Sequence, residues 1–432
     1  MEGLHSLAGK RLLLLGGQNV ITGEVAKIAR EMGIYVVAAD YLDVSKSPAK
    51  QFADEAVNVS TTDMEALEAL VKEKKIDGVF TGSSEAAIPL AMELCERMGF
   101  PFYCTKEQWD ICSDKRTFKD LCSKYDVPVV KEYHLSLPLD EAQLEQIEFP
   151  VIVKPVDGSG SMGISQCNDR AEFDAGLEKA LAYSKSKRVI VEKYMTGDEV
   201  VIYYTLQDGK ISFSAMCDRY TNKQQAGVAQ LPTAYVFKSK YLKNYMEKTN
   251  EKVIRMFEGL GLKNGVIFIQ SFVEDGEVRF YEMGYRLCGA QEFRIVRAVN
   301  EMDTVRMMIA YALTGKMLGW DVEVSNKPEF DKFACKLSPL AWPGTIGSIE
   351  GLDEIRAMDC VTDVVPNYDV GGVIEKAGTL QQIVVRIFLV EDTIEKLAES
   401  IDRIQNTFKV KNDKGEDMLL EGFNTDLLKE GY

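Results

Sequence analysis

The stretch FPVIVKPVDGSGSMGI, residues 149–164, decides the fold, because it places a lysine between a strand pattern and a glycine-rich loop. Residues 151–153 form a short β-branched run, which is typical of a buried strand. Lys154 ends that run, where an unpaired charge would be costly. Residues 157–163, called the glycine flap below, hold three glycines and two serines, so their backbone N–H groups can converge on a phosphate. Lys154 would then supply a positive charge to the same phosphate.

The glycine flap also matches the spacing G-x-G-x-x-G at Gly158, Gly160 and Gly163, but the known classes of glycine loop fit poorly. A dinucleotide loop opens a helix, whereas residues 164–167 continue as a strand pattern. A protein-kinase loop precedes its lysine, and a P-loop ends in Gly-Lys-Ser/Thr. The order therefore favours two strands around a flap, with Lys154 on the entering strand. An ordinary glycine-rich hairpin is the alternative.

The composition is that of a globular protein without a nucleic-acid or membrane partner. The chain has 432 residues, of which 46% are hydrophobic and 27% charged, and its formal net charge is −16. Its length predicts about three domains, and its charge argues against nucleic acid and anionic membranes. No stretch approaches the roughly 18 apolar residues of a membrane span, and no signal-peptide pattern is present. Nine cysteines without paired spacing and two histidines predict reduced thiols, no zinc site and a cytoplasmic location.

Residues 11–104 alternate strand and helix patterns, which predicts an α/β domain with a parallel, doubly wound sheet. Ligands of such sheets bind beyond the carboxyl ends of the strands. The residues at that rim are Gly16, Gly17, Asp40, Ser84 and Glu85. Asp40 could hold a ribose, as in a dinucleotide site, and roles in turns or helix caps are equally open for these residues.

The rest of the chain has mixed α and β patterns. Residues 140–320 contain the glycine flap, a turn at 197–200, one strand reaching residue 219, a helix at about 239–260 and a hairpin that turns at 274–277. The predicted domains are 1–105, 106–320 with a flap subdomain at about 125–195, and a smaller α+β domain at 321–432.

A second cluster of candidate residues follows the strand pattern at 189–195. The strand reaches Glu192 and runs into Lys193, Tyr194 and Met195, so it can offer adenine an acceptor and backbone amides. Glu199, seven residues after Glu192, can accept from ribose hydroxyls. Either glutamate by itself could equally be a solvated surface acid.

The third cluster lies on the predicted hairpin. Gln270 and Glu282 are twelve residues apart around one turn, so both can face the same space. A carboxylate beside an amide oxygen is a plausible but weakened Mg²⁺ site. Arg286 suits a charge clamp on a phosphoryl group. A cross-strand pair and a surface arginine are the structural alternative.

The order of these clusters resembles the ATP-grasp superfamily over roughly residues 5–320. The resemblance implies a pre-ATP-grasp domain, an ATP-grasp domain, a small C-terminal domain, and the cofactors ATP and Mg²⁺. Lys115 and Lys154 match the two lysines of that family that contact nucleotide phosphates. The residues that match its flap, adenine, hinge and ribose positions are Gly158, Ser159, Gly160, Ser161, Gly163, Glu192, Lys193, Tyr194, Met195 and Glu199. Glu282 and Arg286 match the motif E-x-N-x-R, which implies metal binding and catalysis, the latter together with Lys154.

Two departures from the family pattern concern metal binding. The motif asparagine is Gly284, and the usual glutamate of the preceding strand is Gln270. One Mg²⁺ in place of two, extra ligation by substrate or water, and a damaged catalyst are all open.

The C-terminal region resembles that of ATP-grasp L-amino-acid ligases and, more distantly, that of biotin carboxylase. The position of a bicarbonate-handling glutamate of biotin carboxylase is Ala290 here. The resemblance therefore implies a carboxylate–amine ligase, which forms an acylphosphate from a small carboxylic or amino acid, joins it to an amine, and releases ADP and phosphate. Ser84, Glu85, Arg219 and Arg294 are candidate substrate residues, and the relatives imply a homodimer.

Three other functions stay open at this point. The first is a carbamoyl-phosphate-synthase-like or carboxylase-like phosphorylating enzyme. The second, suggested by Gln270 and Gly284, is a degenerate ATP-binding protein. The third, a dehydrogenase, depends on Asp40 and the pair Gly16-Gly17.

Overall fold

The computed structural model describes residues 3–18, 20–136, 139–156, 163–222 and 230–432. An N-terminal α/β unit comes first in the chain. Its elements are β1 (Arg11–Leu15), α1 (Val20–Glu31), β2 (Tyr35–Asp40), α2 (Pro48–Phe52), β3 (Glu55–Asn58), α3 (Met64–Lys74), β4 (Gly78–Phe80) and α4 (Ile88–Met98). The four strands form a parallel sheet in the order β3-β2-β1-β4.

The unbroken leucine run of β1 is explained by burial on both faces of this sheet. Leu12 and Leu14 pack into one hydrophobic core, and Leu13 and Leu15 pack into another. A strand covered on both faces reads as a continuous apolar run instead of an alternating one. The predicted doubly wound parallel sheet is confirmed.

A second unit carries the strands that flank the glycine flap. Its elements are α5 (Lys106–Ser113), α6 (Lys115–Lys124), β5 (Glu132–Tyr133), α7 (Glu141–Leu144), β6 (Val151–Pro155), β7 (Ser165–Cys167), α8 (Arg170–Tyr183) and β8 (Val189–Lys193). The strands form an antiparallel sheet in the order β5-β8-β6-β7. β6 and β7 therefore pair on the two sides of the flap, as the sequence predicts.

An eight-stranded antiparallel sheet, the large sheet, forms the centre of the molecule. Its order is β13-β12-β9-β10-β11-β14-β18-β16. The elements from this part of the chain are β9 (Asp198–Gln207), β10 (Lys210–Thr221), β11 (Pro232–Phe237), α9 (Leu242–Lys248), α10 (Asn250–Gly259), β12 (Gly265–Glu274), β13 (Glu277–Gly284), α11 (Phe293–Asn300), α12 (Thr304–Thr314) and α13 (Val322–Ser325).

The C-terminal part of the chain contributes to two sheets. Its elements are β14 (Phe333–Leu337), β15 (Gly344–Glu350), α14 (Leu352–Arg356), β16 (Val361–Pro366), β17 (Val373–Ile374), β18 (Val385–Glu391), α15 (Ile394–Thr407) and β19 (Lys409–Asn412). β14, β16 and β18 complete the large sheet, and the other three strands form a small sheet in the order β17-β15-β19. The domain boundaries at 105 and 320 stay predictions. The fold class of a parallel N-terminal sheet followed by mixed α+β units is confirmed.

Three local predictions are wrong. The segment 197–200 is no turn, because β9 begins at Asp198, which pairs with Val273 of β12. The strand predicted to run unbroken to residue 219 is the hairpin β9–β10, since Asp208 and Gly209 have φ of 52° and 87°, which suit a tight hairpin turn. The helix predicted at about 239–260 is two helices, because Thr249 leaves the helical conformation at φ −126°.

The predicted hairpin β12–β13 is confirmed. Its turn residues Asp275 and Gly276 have φ of 51° and 73°. In the described parts of the chain, no helix combines the length and the apolar character needed to cross a membrane.

Candidate active site

Glu192 lies between two lysines in a buried ion network. Ile152 of β6 pairs with Glu192 of β8, so Lys154, two residues on, faces the same side of the sheet. Lys154 Nζ lies 2.5 Å from Glu192 Oε2, and Lys119 Nζ donates to Glu192 Oε1. All three side chains are buried. Burial raises the pKa of Glu192, but the charges of Lys154 and Lys119 outweigh burial and lower the pKa below its ordinary value.

Lys119 is a site residue that sequence reasoning missed. It follows Lys115 by one helical turn on α6, and its Nζ also donates to Val130 O at 3.2 Å. The spacing of four residues on one helix was the available signal, because such residues share a face. The two lysines are directed to different carboxylates, Lys119 to Glu192 and Glu132 and Lys115 to Glu282.

The predicted metal residues lie directly opposite each other. Gln270 of β12 pairs with Glu282 of β13, and such pairs face the same side of a sheet. Lys115 Nζ lies 3.6 Å from Glu282 Oε2, which links the first residue of α6 to this pair. Asp114 caps α6 by accepting from the N–H groups of Arg116 and Thr117, and so fixes where Lys115 begins the helix. Among the described residues, no group of three acidic, histidine or cysteine side chains converges as a metal site.

Arg286 connects the large sheet to the N-terminal rim. Its Nη2 lies 3.1 Å from Glu85 Oε2, and its Nη1 donates to Leu287 O at 3.1 Å. Arg286 Nε is buried and has no described hydrogen-bond partner. The guanidinium also lies 5.1 Å from the centre of the Phe268 ring. Arg286 and Glu85, which sequence analysis assigned to different roles, are thus brought together.

Ser84 and the paired glycines complete the rim. A Cβ built on Gly16 would lie 2.9 Å from Ser84 Oγ, so this approach leaves no room for a side chain at Gly16. Asp40 is turned inward: it accepts from Ser47 Oγ at 2.6 Å and forms an ion pair with Lys50 at 3.0 Å. Since Asp40 is only 2% exposed, it does not offer its carboxylate to a ribose as the dehydrogenase interpretation requires.

Glu199 and Arg219 are direct cross-strand partners on β9 and β10, and their side chains form an ion pair. Arg219 Nε also donates to Tyr235 Oη at 3.3 Å. Arg219 thus neutralises the carboxylate that sequence analysis assigned to the ribose.

Arg294 is held by partners from distant parts of the chain. It lies 2.8 Å from Glu24 and 2.6 Å from Asp363, and its Nε donates to Gln291 Oε1 at 2.9 Å. The side chain is buried. A substrate carboxylate would have to displace two buried ion pairs, so the geometry gives Arg294 a structural role instead.

The predicted hinge leaves one backbone donor available. The Lys193 N–H donates to Lys131 O and the Tyr194 N–H donates to Pro150 O, each at 3.0 Å. The Lys193 side chain is directed to Glu274, 2.6 Å away. In the described part of the chain, no acceptor pairs with the Met195 N–H.

The glycine flap is described at one residue. Gly158, Ser159, Gly160 and Ser161 lie outside the described residues. Gly163 has φ of 77°, and a Cβ there would lie 2.8 Å from Tyr183 Cβ, so glycine is required for both reasons.

Comparisons of the sequence with known families and proteins agree with this geometry. The profile of a family described as the ATP-grasp domain matches residues 147–292. The chain is 25% identical over 281 residues to a formate-dependent phosphoribosylglycinamide formyltransferase of Prochlorococcus marinus, covering 64% of this chain and 70% of the relative. It is 23% identical over 311 residues to the carbamoyl phosphate synthase large chain of Clostridium beijerinckii, covering 70% of this chain and 28% of the relative.

Two solved structures share the fold over more than nine-tenths of this chain. An L-amino acid ligase from Bacillus licheniformis has a TM-score of 0.74 at 18% identity, covering 94% of this chain and 99% of that one. The biotin carboxylase domain of a Hydrogenobacter thermophilus 2-oxoglutarate carboxylase, solved with MgADP, ADP and bicarbonate, also has a TM-score of 0.74. It is 17% identical, and the match covers 93% of this chain and 90% of that one.

Proposed function

We propose that this chain, which carries an ATP-grasp domain, is an ATP-dependent carboxylate–amine ligase that releases ADP and phosphate. The observation that carries the proposal is the grouping of Lys115 with the opposed residues Gln270 and Glu282, within electrostatic range of the buried pair Lys154–Glu192. Phosphoryl transfer needs positioning and charge neutralisation more than covalent help. These side chains supply both.

The nucleotide would lie between the four-stranded sheet β5-β8-β6-β7 and the large sheet. Lys115 and Lys154 would hold its phosphates, because each lysine lies beside a carboxylate from which it can turn to a phosphate oxygen. Met195 would donate its free N–H to adenine, and Glu199 would accept from the ribose. The flap would close over the phosphates and exclude water, since a hydrolysed acylphosphate is lost product.

A magnesium ion fits the residues present. Gln270 and Glu282 offer one amide and one carboxylate oxygen from directly opposed positions, and Mg²⁺ takes such hard ligands while keeping waters and nucleotide phosphates. Glu282 would be its main protein ligand. Bound there, the ion would neutralise charge on the phosphates.

The chemical steps use this chain's cations. The substrate carboxylate attacks the γ-phosphorus, the bond from that phosphorus to the β,γ-bridging oxygen breaks, and ADP leaves with its electron pair. Arg286 stabilises the charge on the phosphoryl group in transfer. The amine then attacks the acylphosphate carbonyl, and phosphate departs. We expect the protein to act on small molecules and to be cytoplasmic. We also expect a homodimer, and light scattering would test this oligomeric state.

The test is release of phosphate from Mg·ATP with amino acids and other small acids, alone and paired with amines. Release that requires a specific acid and amine is expected, with an amide or peptide product identified by mass spectrometry. Lys154→Met should abolish release. Lys106→Met is the matched control, because Lys106 lies on α5 with 80% of its side chain exposed and pairs with Asp110.

Two outcomes would favour other functions. Release that depends on bicarbonate in place of an organic acid would favour the phosphorylating enzymes, to which the likeness to a carbamoyl phosphate synthase points. Tight ATP binding without release for any pair would favour a degenerate ATP-binding protein.

A further inference from the structure

Lys336 is a buried lysine on the sixth strand of the large sheet, and it has no anionic partner among the described residues. It lies on β14 between Tyr235 of β11 and Phe388 of β18, in direct register with both. Lys336 is 3% exposed, and its Nζ lies 4.0 Å from the centre of the Tyr235 ring. No carboxylate among the described residues forms an ion pair with it. A buried charge in this state is costly unless something compensates for it.

Arg386 adds a second cation beside Lys336. Lys336 pairs with Phe388, so Arg386, two residues along β18, is a diagonal neighbour on the same face. Its Nη1 donates to Asn367 Oδ1 at 2.5 Å, and its Nε is buried without a described partner. In the described chain, no carboxylate pairs with Arg386. The nearby Arg294, by contrast, is neutralised by Glu24 and Asp363.

Glu292 does not cancel these charges. It is 8% exposed, and its Oε2 has no hydrogen-bond partner among the described residues. Burial raises the pKa of Glu292 to about 8, against the opposing charges of Lys336 and Arg286. At neutral pH this carboxyl group is therefore mostly protonated. It is a hydrogen-bond donor that lies within electrostatic reach of Lys336 and Arg286.

The same face of the large sheet carries the residues assigned to ATP. Glu199, Arg219, Tyr235 and Lys336 follow one another in direct register across β9, β10, β11 and β14. Gln270 pairs with Val201, two residues from Glu199, so the metal pair faces the same side. The chain from Arg286 to Glu292 leads from the metal pair toward Lys336. Cys288 and Glu292 each lie within electrostatic range of both Arg286 and Lys336. A ligand bound at Lys336 would therefore lie on the face of the large sheet that carries the reacting groups.

We propose that Lys336 and Arg386 bind a second anionic group of the acid substrate, whose reacting carboxylate lies beside the phosphoryl group that Arg286 stabilises. The substrate is then a dicarboxylic acid or a carboxylic acid that also carries a phosphate. A carboxylic acid without a second anionic group is a poor substrate. The proposal rests on the proposed ligase function, because that function places the reacting carboxylate. Three buried polar atoms without described partners, Arg286 Nε, Glu292 Oε2 and Arg386 Nε, support it, since such atoms in native proteins are normally satisfied by water or ligand.

The first experiment compares matched acids in the phosphate-release assay. L-glutamate is set against L-glutamine, succinate against succinamate, and O-phospho-L-serine against L-serine. We expect KM for the anionic member of the productive pair to be lower by about ten-fold or more, since a charge-assisted hydrogen bond is lost in the neutral one. The comparisons with L-glutamate and succinate test a second carboxylate, and the comparison with O-phospho-L-serine tests a phosphate. Equal KM values within every pair would overturn the proposal.

Variants at position 336 separate binding from a structural effect. Lys336→Met should raise KM for the anionic acid by about ten-fold and leave kcat within about three-fold. Lys336→Arg should restore KM. Equal melting temperatures of the variants would show that folding is preserved. A loss of kcat with unchanged KM would contradict a binding role.

The pH profile gives a further readout. Burial and the charge of Arg386 lower the pKa of Lys336 to about 7. The protonated form binds the anion, so kcat/KM should fall as pH rises through about 7, and Lys336→Arg should remove that fall. The other groups that act on Lys336 from the packed elements are Tyr235, Cys217, Arg219, Cys288 and Glu292. Glu292→Gln removes the titration near pH 8, so the two falls can be told apart.

Calorimetry separates failure of this inference from failure of the ligase function. L-glutamate and O-phospho-L-serine are titrated into the protein with MgADP. If one of them binds, binds more weakly to Lys336→Met and is never turned over, the result would support the anion site and contradict the ligase function. Turnover only with acids that lack a second anionic group would support the ligase function and overturn the anion site.

Discussion

The Phe268 ring occupies the space that a side chain at Gly284 would need. These residues pair across β12 and β13, and a Cβ built on Gly284 would lie 2.3 Å from Phe268 Cε1. The Phe268 ring therefore excludes the motif asparagine from position 284. An asparagine introduced at position 284 without a second substitution should not fit, because the Phe268 ring fills the space that its side chain needs.

Gly284→Asn should lower the free energy of unfolding by about 1–3 kcal/mol, the usual effect of overpacking a filled site. Adding Phe268→Ala should recover part of that loss, since residues in contact are energetically coupled. Denaturant unfolding of both single variants and the double variant measures the coupling. Strictly additive losses would show that the two side chains do not compete.

Gln270→Glu should strengthen the metal site. A second carboxylate opposite Glu282 supplies a charged oxygen ligand, so the Mg²⁺ concentration for half-maximal phosphate release should fall. Without metal the two like charges face each other and should destabilise the fold. Gln270→Met, of similar length but without the oxygen, should raise the Mg²⁺ requirement. An unchanged requirement in both variants would place the ion elsewhere.

Glu192→Gln should destabilise the protein by about 3–5 kcal/mol, because it leaves Lys154 buried without an anion and leaves Lys119 only Glu132, 3.5 Å away. The pH dependence has a definite sign. Since the folded pKa of Glu192 is lowered, its contribution is present above the unfolded pKa of about 4.3 and is lost as pH falls below it. Wild type should therefore lose more stability on acidification than the variant. Parallel stability curves would contradict this assignment.

Arg286→Lys should reduce kcat by about 10²–10³-fold, the scale of losing a donor to transition-state charge. Lysine keeps the charge but not the planar fork. Arg356→Lys is the control, because Arg356 lies on α14 and pairs with the exposed Asp353. A change confined to KM would assign Arg286 to ground-state binding.

Arg294→Met should act on stability rather than on substrate binding. It removes the buried cation between Glu24 and Asp363 and leaves them Lys27 at 3.9 Å and Arg297 at 3.3 Å, so the free energy of unfolding should fall by about 1.5–3 kcal/mol, the scale of a lost charge-assisted hydrogen bond. The surviving folded enzyme should keep its KM for the acid. A raised KM with unchanged stability would instead restore the substrate role predicted from sequence.

Local sequence patterns predicted most of the fold. The leucine run of β1 predicted a strand buried on both faces, and the pair Asp275-Gly276 predicted the turn of β12–β13. The break at Thr249 was not predictable in this way, because the apolar spacing continues through both helices. Sequence also missed the hairpin at Asp208-Gly209, although this pair was the available signal.

The sequence by itself determined the order of the chemical groups: lysine, strand lysine with flap, glutamate hinge, and acidic hairpin with arginine. This order could be predicted because each group lies in a short stretch whose strand or turn preference is set by its neighbours in the chain. The tertiary structure alone decided which charges are paired. Lys119 meets Glu192 across 73 positions, Arg294 meets Asp363 across 69, and Lys336 meets no described carboxylate. Charge pairing depends on distance in space and on burial, and neither can be read from neighbours in the chain.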